Sequence, residues 1–145
     1  MQVKVKKLTN TAVLPEKGSK YSAGYDLSAD IDKYVLIYPH ETVKIPTGLA
    51  FEVPEGYFGG IYARSGLATK QGLRPANSVG ICDSDYRGEY IVAIHNDSEQ
   101  VRIIEPGQRI AQLVIQKHLD CDFIEVDELT NTGRGHGGFG STGSK

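Results

Sequence analysis

Residues 34–62 read YVLIYPHETVKIPTGLAFEVPEGYFGGIY and contain a series of short apolar runs, several of which alternate with period two. The runs are 34–38, 42–45, 49–53 and 57–62. Pro39, Pro46 and Pro54 stand between them, where a missing amide donor does no damage to a strand ladder. This stretch therefore predicts consecutive β-strands that are divided by proline-containing turns.

Similar β-prone runs continue on both sides of this stretch, at 3–6, 90–95, 101–104, 109–116 and 123–126. One short helix is predicted, from Ser65 through Leu67 to Gln71. Because no long helical pattern separates the strands, the sequence favours an all-β sandwich, barrel or jelly roll over a βαβ fold. Residues 72–88 lack a sustained apolar pattern and are predicted to form a functional loop or hairpin.

Length and composition exclude several classes of protein. A chain of 145 residues suffices for one domain with its own core and is too short for two. The net charge of −2 gives no global field for a nucleic-acid polymer, so an anion must be bound locally. The two cysteines lack CxxC spacing, which argues against a structural metal site. With no leader and no stretch near eighteen apolar residues, we expect no membrane contact and a soluble, cytoplasmic, reducing setting.

The tail of the chain, residues 133–145, reads GRGHGGFGSTGSK and has nothing that could fill a core. Glycine loses the most backbone freedom on ordering, so such a tail needs a ligand to order it. Arg134 can fork onto phosphate oxygens, the hydroxyls can contact an anion, and Phe139 can lie flat on a nucleobase. The tail is predicted to be a lid for a phosphorylated, base-bearing ligand. The alternative is a disordered Gly/Ser terminus.

Two internal segments carry further candidate chemistry. The free amides at the start of the predicted helix, beside Arg64 and Ser65, can bind an anion. Residues 80–90, GICDSDYRGEY, place Asp83 where an ionised carboxylate could take a proton from an attacking water. Asp83 could instead simply form the turn. Tyr86 could pack against a sugar, or it could cap the core.

Five segments in order resemble the five motifs of the trimeric deoxyuridine triphosphatases (dUTPases), with similar spacing over nearly the whole chain. The segments are AGYDLSA at 23–29, ARSGLA at 63–68, GICDSDYRGE at 80–89, PGQRIAQLVI at 106–115 and RGHGGFGSTG at 134–143. The resemblance implies a distorted jelly-roll domain over 1–132, with one short helix, and a flexible Gly-rich lid over 133–145. It also implies a homotrimer in which each active site draws on all three subunits, so that isolated monomers are inactive.

The same resemblance implies the role of each site residue. Asp83 is expected to orient and deprotonate the attacking water. The phosphates are expected to contact Arg64, Ser65, Gly66 and Gln112. The uracil and the deoxyribose are expected to contact Asn77, Gly80, Ile81, Cys82, Tyr86 and Ile91. The tail is expected to close over the nucleotide with Arg134, Phe139, Gly140, Ser141 and Thr142.

The reaction that the resemblance implies is hydrolysis of dUTP to dUMP and pyrophosphate, which lowers dUTP and supplies dUMP for thymidylate synthesis. Mg²⁺ is expected to bridge triphosphate oxygens without a direct protein ligand. Asp26 could reach this ion through water, but we favour a structural hydrogen-bonding role for it. Two other functions stay open: a dCTP deaminase, a related family that shares the trimeric fold, and a binding module in which nucleotide occupancy switches a protein partner.

Overall fold

The computed structural model describes residues 1–139, which form eleven β-strands and one helix. The elements are β1 (Lys4–Lys7), β2 (Glu16–Lys17), β3 (Tyr25–Ser28), β4 (Val35–Ile37), β5 (Thr42–Glu52), β6 (Tyr57–Tyr62), α1 (Ser65–Gln71), β7 (Leu73–Pro75), β8 (Gly80–Cys82), β9 (Glu89–Asn96), β10 (Arg102–Ile104) and β11 (Arg109–Lys117). The prediction of an all-β chain with one short helix is confirmed.

The strands form two larger antiparallel sheets and a two-stranded ribbon. The first sheet has the order β1-β5-β9-β7, the second has the order β2-β3-β11-β6-β8, and β10 pairs with β4. Alternate residues of both sheets meet in one hydrophobic core, as period-two alternation requires when one face of each sheet is buried. Fully buried members of this core include Leu27, Ile45, Leu49, Leu73, Val92 and Ile94.

The two strands predicted on either side of Pro46 are in fact one strand, β5, and the prediction of a break there is wrong. Pro46 lies in register with Ile91, and the register shifts between Pro46 and Ala50. At this bulge the Thr47 hydroxyl donates to the carbonyl oxygen of Tyr90 at 2.6 Å. The Gly48 amide donates to Glu89 Oε1 at 2.7 Å. These bonds replace the ladder bonds that the bulge interrupts, so the strand continues past the proline.

The sequence prediction also missed short strands and placed one strand wrongly. Strands β2, β3, β7 and β8 have two to four residues each, too few to show a period-two pattern. The predicted strand at 123–126 is not a strand, and Phe123 and Ile124 are 97% and 81% exposed. Among residues 1–139 of one protomer, no neighbouring strand offers this segment its hydrogen bonds.

Helix α1 follows Arg64, whose backbone is extended, and ends at Gly72, which has a φ of 69°. The Gly72 amide donates to the carbonyl oxygen of Ala68 at 3.2 Å, as is typical where a glycine in the left-handed conformation ends an α-helix. Leu67 anchors the helix in the core. Over residues 1–139, the structure contains no helix of the length and apolarity needed to cross a membrane.

We expect Gly48→Ala to destabilise the protein strongly. Gly48 has a φ of +66°, and an added Cβ would lie 2.7 Å from Ala12 Cβ and 2.8 Å from Thr9 Oγ1. The strained backbone and the overpacking together should lower the free energy of unfolding by about 2–4 kcal/mol. Gly56→Ala is the matched control, because Gly56 has a φ of +79° but open space around it; it should cost only about 1–2 kcal/mol. Both variants are unfolded in urea at the same protomer concentration. Equal losses of unfolding free energy in Gly48→Ala and Gly56→Ala would contradict the packing argument.

Candidate active site

The first site feature is a cationic cavity of about 390 Å³, which we call the Arg64 cavity. It lies where β3, β11 and the start of α1 meet. Its lining includes Gly24, Asp26, Arg64, Ser65, Gly66, Arg109 and Gln112. Three of the five segments that resemble family motifs therefore contribute to one cavity, although they are far apart in the chain.

Asp26 holds the two arginines of the Arg64 cavity in place. Arg64 Nε donates to Asp26 Oδ1 at 2.8 Å, and Arg109 Nη1 donates to Asp26 Oδ2 at 3.0 Å. The Asp26 side chain is 16% exposed, while those of Arg64 and Arg109 are 29% and 57% exposed. One carboxylate thus orients two guanidinium groups and leaves a net positive charge beside Ser65. Both Asp26 oxygens are engaged, which agrees with the structural role that we favoured for this residue.

Gln112 links β11 to the segment that precedes α1. Its Nε2 donates to the carbonyl oxygen of Ala63 at 2.8 Å. A Cβ on Gly24 would lie 3.1 Å from Gln112 Cδ and closer still to its Oε1. The glycine of the AGYD segment therefore permits the close approach that brings Gln112 to the Arg64 cavity.

The second feature is a cavity of about 370 Å³ around the hairpin, which we call the Asn77 cavity. All of the residues expected at the uracil, the sugar and the attacking water line it: Asn77, Gly80, Ile81, Cys82, Asp83, Tyr86 and Ile91. Gly80 is buried, and a Cβ there would lie 3.2 Å from Ile61 Cβ and 3.4 Å from Asn77 Nδ2. Glycine at position 80 therefore lets β8 pair closely with β6, because a side chain there would crowd Ile61.

Asp83 lies at the exposed edge of the Asn77 cavity. The hydrogen bond that closes the turn is made by the backbone of Asp83: the Tyr86 amide donates to the Asp83 carbonyl oxygen at 3.2 Å. Among residues 1–139, the Asp83 carboxylate has no hydrogen-bond or ion-pair partner. The exposed carboxylate is therefore open to solvent and to a ligand in the Asn77 cavity.

Two tyrosines form the wall beside Asp83. Tyr86 is 45% exposed and donates its hydroxyl to the carbonyl oxygen of Glu89 at 3.0 Å, so it does not cap the core. Tyr90 does so instead, with 1% exposure, and its ring stacks beside that of Tyr86 at 6.1 Å between centroids. Burial raises the pKa of the Tyr90 hydroxyl well above its ordinary value, and the adjoining Cys82 adds to this shift. Burial likewise raises the pKa of the Cys82 thiol.

The described part of the tail lies outside both cavities in the single protomer. Arg134 Nε donates to the carbonyl oxygen of Gly137 at 2.8 Å, and the Gly135 amide donates to Thr132. Phe139 is fully exposed. The remaining predicted tail contacts, Gly140, Ser141 and Thr142, lie outside the described residues.

The two cavities open near opposite ends of β6. Cys82 pairs with Gly59, so Asp83 follows beside Phe58, and these two residues line a further cavity with His118. Arg64 comes after the other end of β6. Phe58 and Arg64 are six residue steps apart, so their Cα atoms lie roughly 20 Å apart at about 3.3 Å per extended residue. Asp83 and Arg64 of one protomer therefore lie near opposite ends of this strand.

A protein cage for a metal ion is not present in residues 1–139: no three His, Cys, Asp or Glu side chains converge there. In the described part of the chain, Asp26 is the one carboxylate that lines the Arg64 cavity, and two guanidinium groups neutralise it. These residues fit a divalent cation that arrives on phosphate oxygens and keeps its water, because Mg²⁺ dehydrates reluctantly.

Comparison with known proteins identifies the family. The dUTPase family model matches residues 10–143. The chain is 48% identical to the deoxyuridine 5′-triphosphate nucleotidohydrolase of Hydrogenobaculum sp. over 145 residues, which cover 100% of both chains. It is 49% identical to the enzyme of that name from Desulfitobacterium hafniense over 131 residues, 90% of this chain and 87% of the relative. The chain belongs to the dUTPase family.

Solved dUTPase structures have the same fold, which is a jelly roll. A mutant of the Staphylococcus bacteriophage 80alpha dUTPase with dUpNHpp aligns with a TM-score of 0.84 and 29% identity, over 98% of both chains. A mutant dUTPase from phage phi11 of S. aureus, described with a structural Mg(II) ion, aligns with a TM-score of 0.77 and 28% identity. That alignment covers 88% of this chain and 98% of the phage chain.

Several cavity residues of this dUTPase were not among the predicted site residues. Arg109 is one of them, yet it shares Asp26 with Arg64. Its place in the PGQR segment, one of the motif segments, was a usable signal. Lys44 and Tyr90 line the Asn77 cavity from β5 and β9. No local pattern distinguishes them, because their position depends on the pairing of two strands that are distant in the chain.

We expect Cys82 to react more slowly than Cys121 with a thiol reagent. Cys121 is exposed, whereas Cys82 is half-buried and its raised pKa keeps it protonated until the pH is further above neutrality. At about pH 8, iodoacetamide labelling followed by peptide mass spectrometry should show a rate ratio of roughly tenfold or more. The rate at Cys82 should still be rising between about pH 8 and pH 9.5. In the urea-unfolded chain the two rates should converge; equal rates in the folded protein would contradict the burial argument.

Proposed function

We propose that this dUTPase hydrolyses dUTP to dUMP and pyrophosphate, and so lowers dUTP while supplying dUMP for thymidylate synthesis. The observation that carries the proposal is the convergence of Asp26, Arg64, Arg109 and Gln112 on one cationic cavity in a chain that matches the dUTPase family model over residues 10–143. Guanidinium groups in this arrangement suit a polyphosphate, since their planar forks match phosphate oxygens.

In the proposed reaction, Asp83 accepts a proton from a water as the water oxygen forms a bond to the α-phosphorus. The bond from the α-phosphorus to the bridging oxygen breaks on the opposite side, and pyrophosphate leaves with that oxygen. Support comes from the free, exposed Asp83 carboxylate on a turn that the backbone already holds. A base fixed by its backbone needs little reorganisation when the nucleotide arrives.

The phosphates are held by Arg64, Ser65 and Gly66, with a further contact from Gln112. Arg64 and Arg109 stabilise negative charge that develops as pyrophosphate separates, and their orientation is set in advance by Asp26. Mg²⁺, when bound with the nucleotide, would neutralise negative charge and help to orient the phosphate chain. Asp26 engages both arginines, so in this proposal it contacts the ion at most through water.

The Asn77 cavity selects uracil and deoxyribose. Asn77 and the backbone of Gly80, Ile81 and Ile91 read the base edge, and cytosine would leave a buried polar group unpaired. Cys82 and Tyr86 contact the sugar, where a 2′-hydroxyl has no room. The narrow fit of β8 on β6, which Gly80 makes possible, supports a pocket that excludes larger bases.

The active form is a homotrimer with shared sites. The separation of Asp83 from Arg64 along β6 supports this assembly, because catalysis then needs Asp83 of one subunit and Arg64 of another. Exposed apolar side chains on the segment that follows β11 also favour association. They are Leu119, Phe123, Ile124, Val126 and Leu129.

The tail, residues 133–145, acts as the lid of a single domain that spans 1–132. Closure would put Phe139 on the uracil and Arg134, Gly140, Ser141 and Thr142 at the nucleotide, which would exclude bulk water. The full exposure of Phe139 in the single protomer supports a tail that docks on another subunit. Both cysteines are free, which suits the reducing, cytoplasmic setting that we propose.

The central test is pyrophosphate release with Mg²⁺ from dUTP, dCTP, dTTP and UTP. We expect release from dUTP alone, and a loss of about 10²–10⁴-fold in turnover for Asp83→Asn with dUpNHpp binding retained. Asp32→Asn is the matched control, because Asp32 lies outside both cavities. An active Asp83→Asn enzyme would remove Asp83 as the base. Ammonia release from dCTP would favour the deaminase, and nucleotide binding without any turnover would favour the binding module.

Mixing two inactive variants tests whether the sites are shared. We expect Arg64→Ala and Asp83→Asn each to be inactive alone. When the two are unfolded and refolded together in equal amounts, about a quarter of the sites should combine an intact Asp83 with an intact Arg64 from a neighbour. Activity should therefore return to about a quarter of the wild-type value. Each variant refolded alone is the control, and an inactive mixture of well-folded trimers would exclude the shared site.

A further inference from the structure

A third cavity adjoins the Arg64 cavity and shares part of its lining. It has a volume of about 510 Å³ and lies between α1 and the turn that precedes β11. We call it the Lys70 cavity. Its lining includes Arg64, Gly66, Lys70, Gln71, Gln108 and Arg109. Because Arg64, Gly66 and Arg109 line both cavities, an anion could pass from one to the other without leaving the two arginines.

The Lys70 cavity is positively charged, and the described part of the chain contributes no acidic side chain to its lining. Lys70 follows Gly66 by one helical turn, which puts both on the same face of α1. It is exposed, and among residues 1–139 it forms neither an ion pair nor a side-chain hydrogen bond. Arg64, Lys70 and Arg109 thus line one cavity. Asp26, in the Arg64 cavity, forms ion pairs with the two arginines.

We propose that the Lys70 cavity is a second anion subsite that binds inorganic pyrophosphate after cleavage. This inference rests on the proposed function, because it takes pyrophosphate as the leaving group. A pyrophosphate ion that moves from the Arg64 cavity keeps its contacts with Arg64 and Arg109 and gains the Lys70 ammonium group. Gln71 and Gln108 add neutral donors. dUMP does not follow, because its base is held in the Asn77 cavity.

A simpler interpretation assigns Lys70 only to the end of the helix. A lysine in the last turn stabilises a helix by interacting with the negative end of its dipole. That interpretation predicts that Lys70→Gln changes stability slightly and pyrophosphate affinity not at all. The subsite predicts the opposite result, so the two interpretations are separated by a binding measurement combined with thermal unfolding.

The test is titration calorimetry of the full-length protein with Mg²⁺–pyrophosphate and, separately, with Mg²⁺–dUpNHpp. Loss of one ammonium group beside Arg64 and Arg109 should weaken pyrophosphate binding roughly five- to tenfold in Lys70→Gln. Binding of dUpNHpp should change less than about twofold, because its phosphates occupy the Arg64 cavity. Lys70→Arg should restore pyrophosphate binding. Lys6→Gln is the matched control, since Lys6 is an exposed lysine on β1, outside these cavities.

Two results would overturn the subsite: unchanged pyrophosphate affinity in Lys70→Gln, or an equal loss for pyrophosphate and dUpNHpp, which would put Lys70 in the triphosphate site. Turnover of dUTP is measured on the same wild-type preparation. Absent turnover with Lys70-dependent pyrophosphate binding would remove the proposed function and leave the anion subsite intact. Normal dUTP turnover with pyrophosphate binding that does not depend on Lys70 would remove the subsite and leave the proposed function intact.

Discussion

The pairing of Asp26 with Arg64 and Arg109 is the interaction on which the rest of the site depends. Three chain segments far apart in sequence meet at this carboxylate: β3, the residue before α1, and the first residue of β11. Two guanidinium groups this close repel each other, so their position requires an anion between them. Asp26 supplies that anion in the free protein, and it leaves an excess of one positive charge for a phosphate. The Asp26 carboxylate thus determines both the position of the two arginines and the net charge of the Arg64 cavity.

The geometry of β6 imposes a second constraint. One end of β6 leads to Arg64 and its other end lies beside Asp83, so the Cα atoms of these two residues lie roughly 20 Å apart along the strand. In the mechanism that we propose, a second copy of the chain therefore brings the complementary cavity alongside. Assembly then becomes a requirement for catalysis, whereas in most oligomers it adds mainly stability.

The sequence predicted the parts of the fold that local pattern determines. The run that forms β6 is long enough to show a strand pattern and was found. Strand β5 was divided at Pro46 because the compensating bonds come from Tyr90 and Glu89, which are distant in the chain. The resemblance to the family supplied the expected contacts Asn77, Gly80, Ile81, Cys82, Asp83, Tyr86 and Ile91, and the structure puts them in one cavity. Arg109 was not assigned to the site although its motif position was a usable signal, and its contact with Asp26 is visible only in the folded chain.

Cys82 and Tyr90 lie beside Asp83, the base of the proposed mechanism. A thiol next to Asp83 would be a liability if it ionised, because a second anion would compete for the same water and the same proton. Tyr90 lies beside this thiol in the wall of the Asn77 cavity and packs against Phe51 at 4.5 Å between ring centroids. Both groups ordinarily keep their protons at neutral pH, and burial raises the pKa of each further. Asp83 therefore has neither a thiolate nor a phenolate beside it when it accepts the proton of the proposed water.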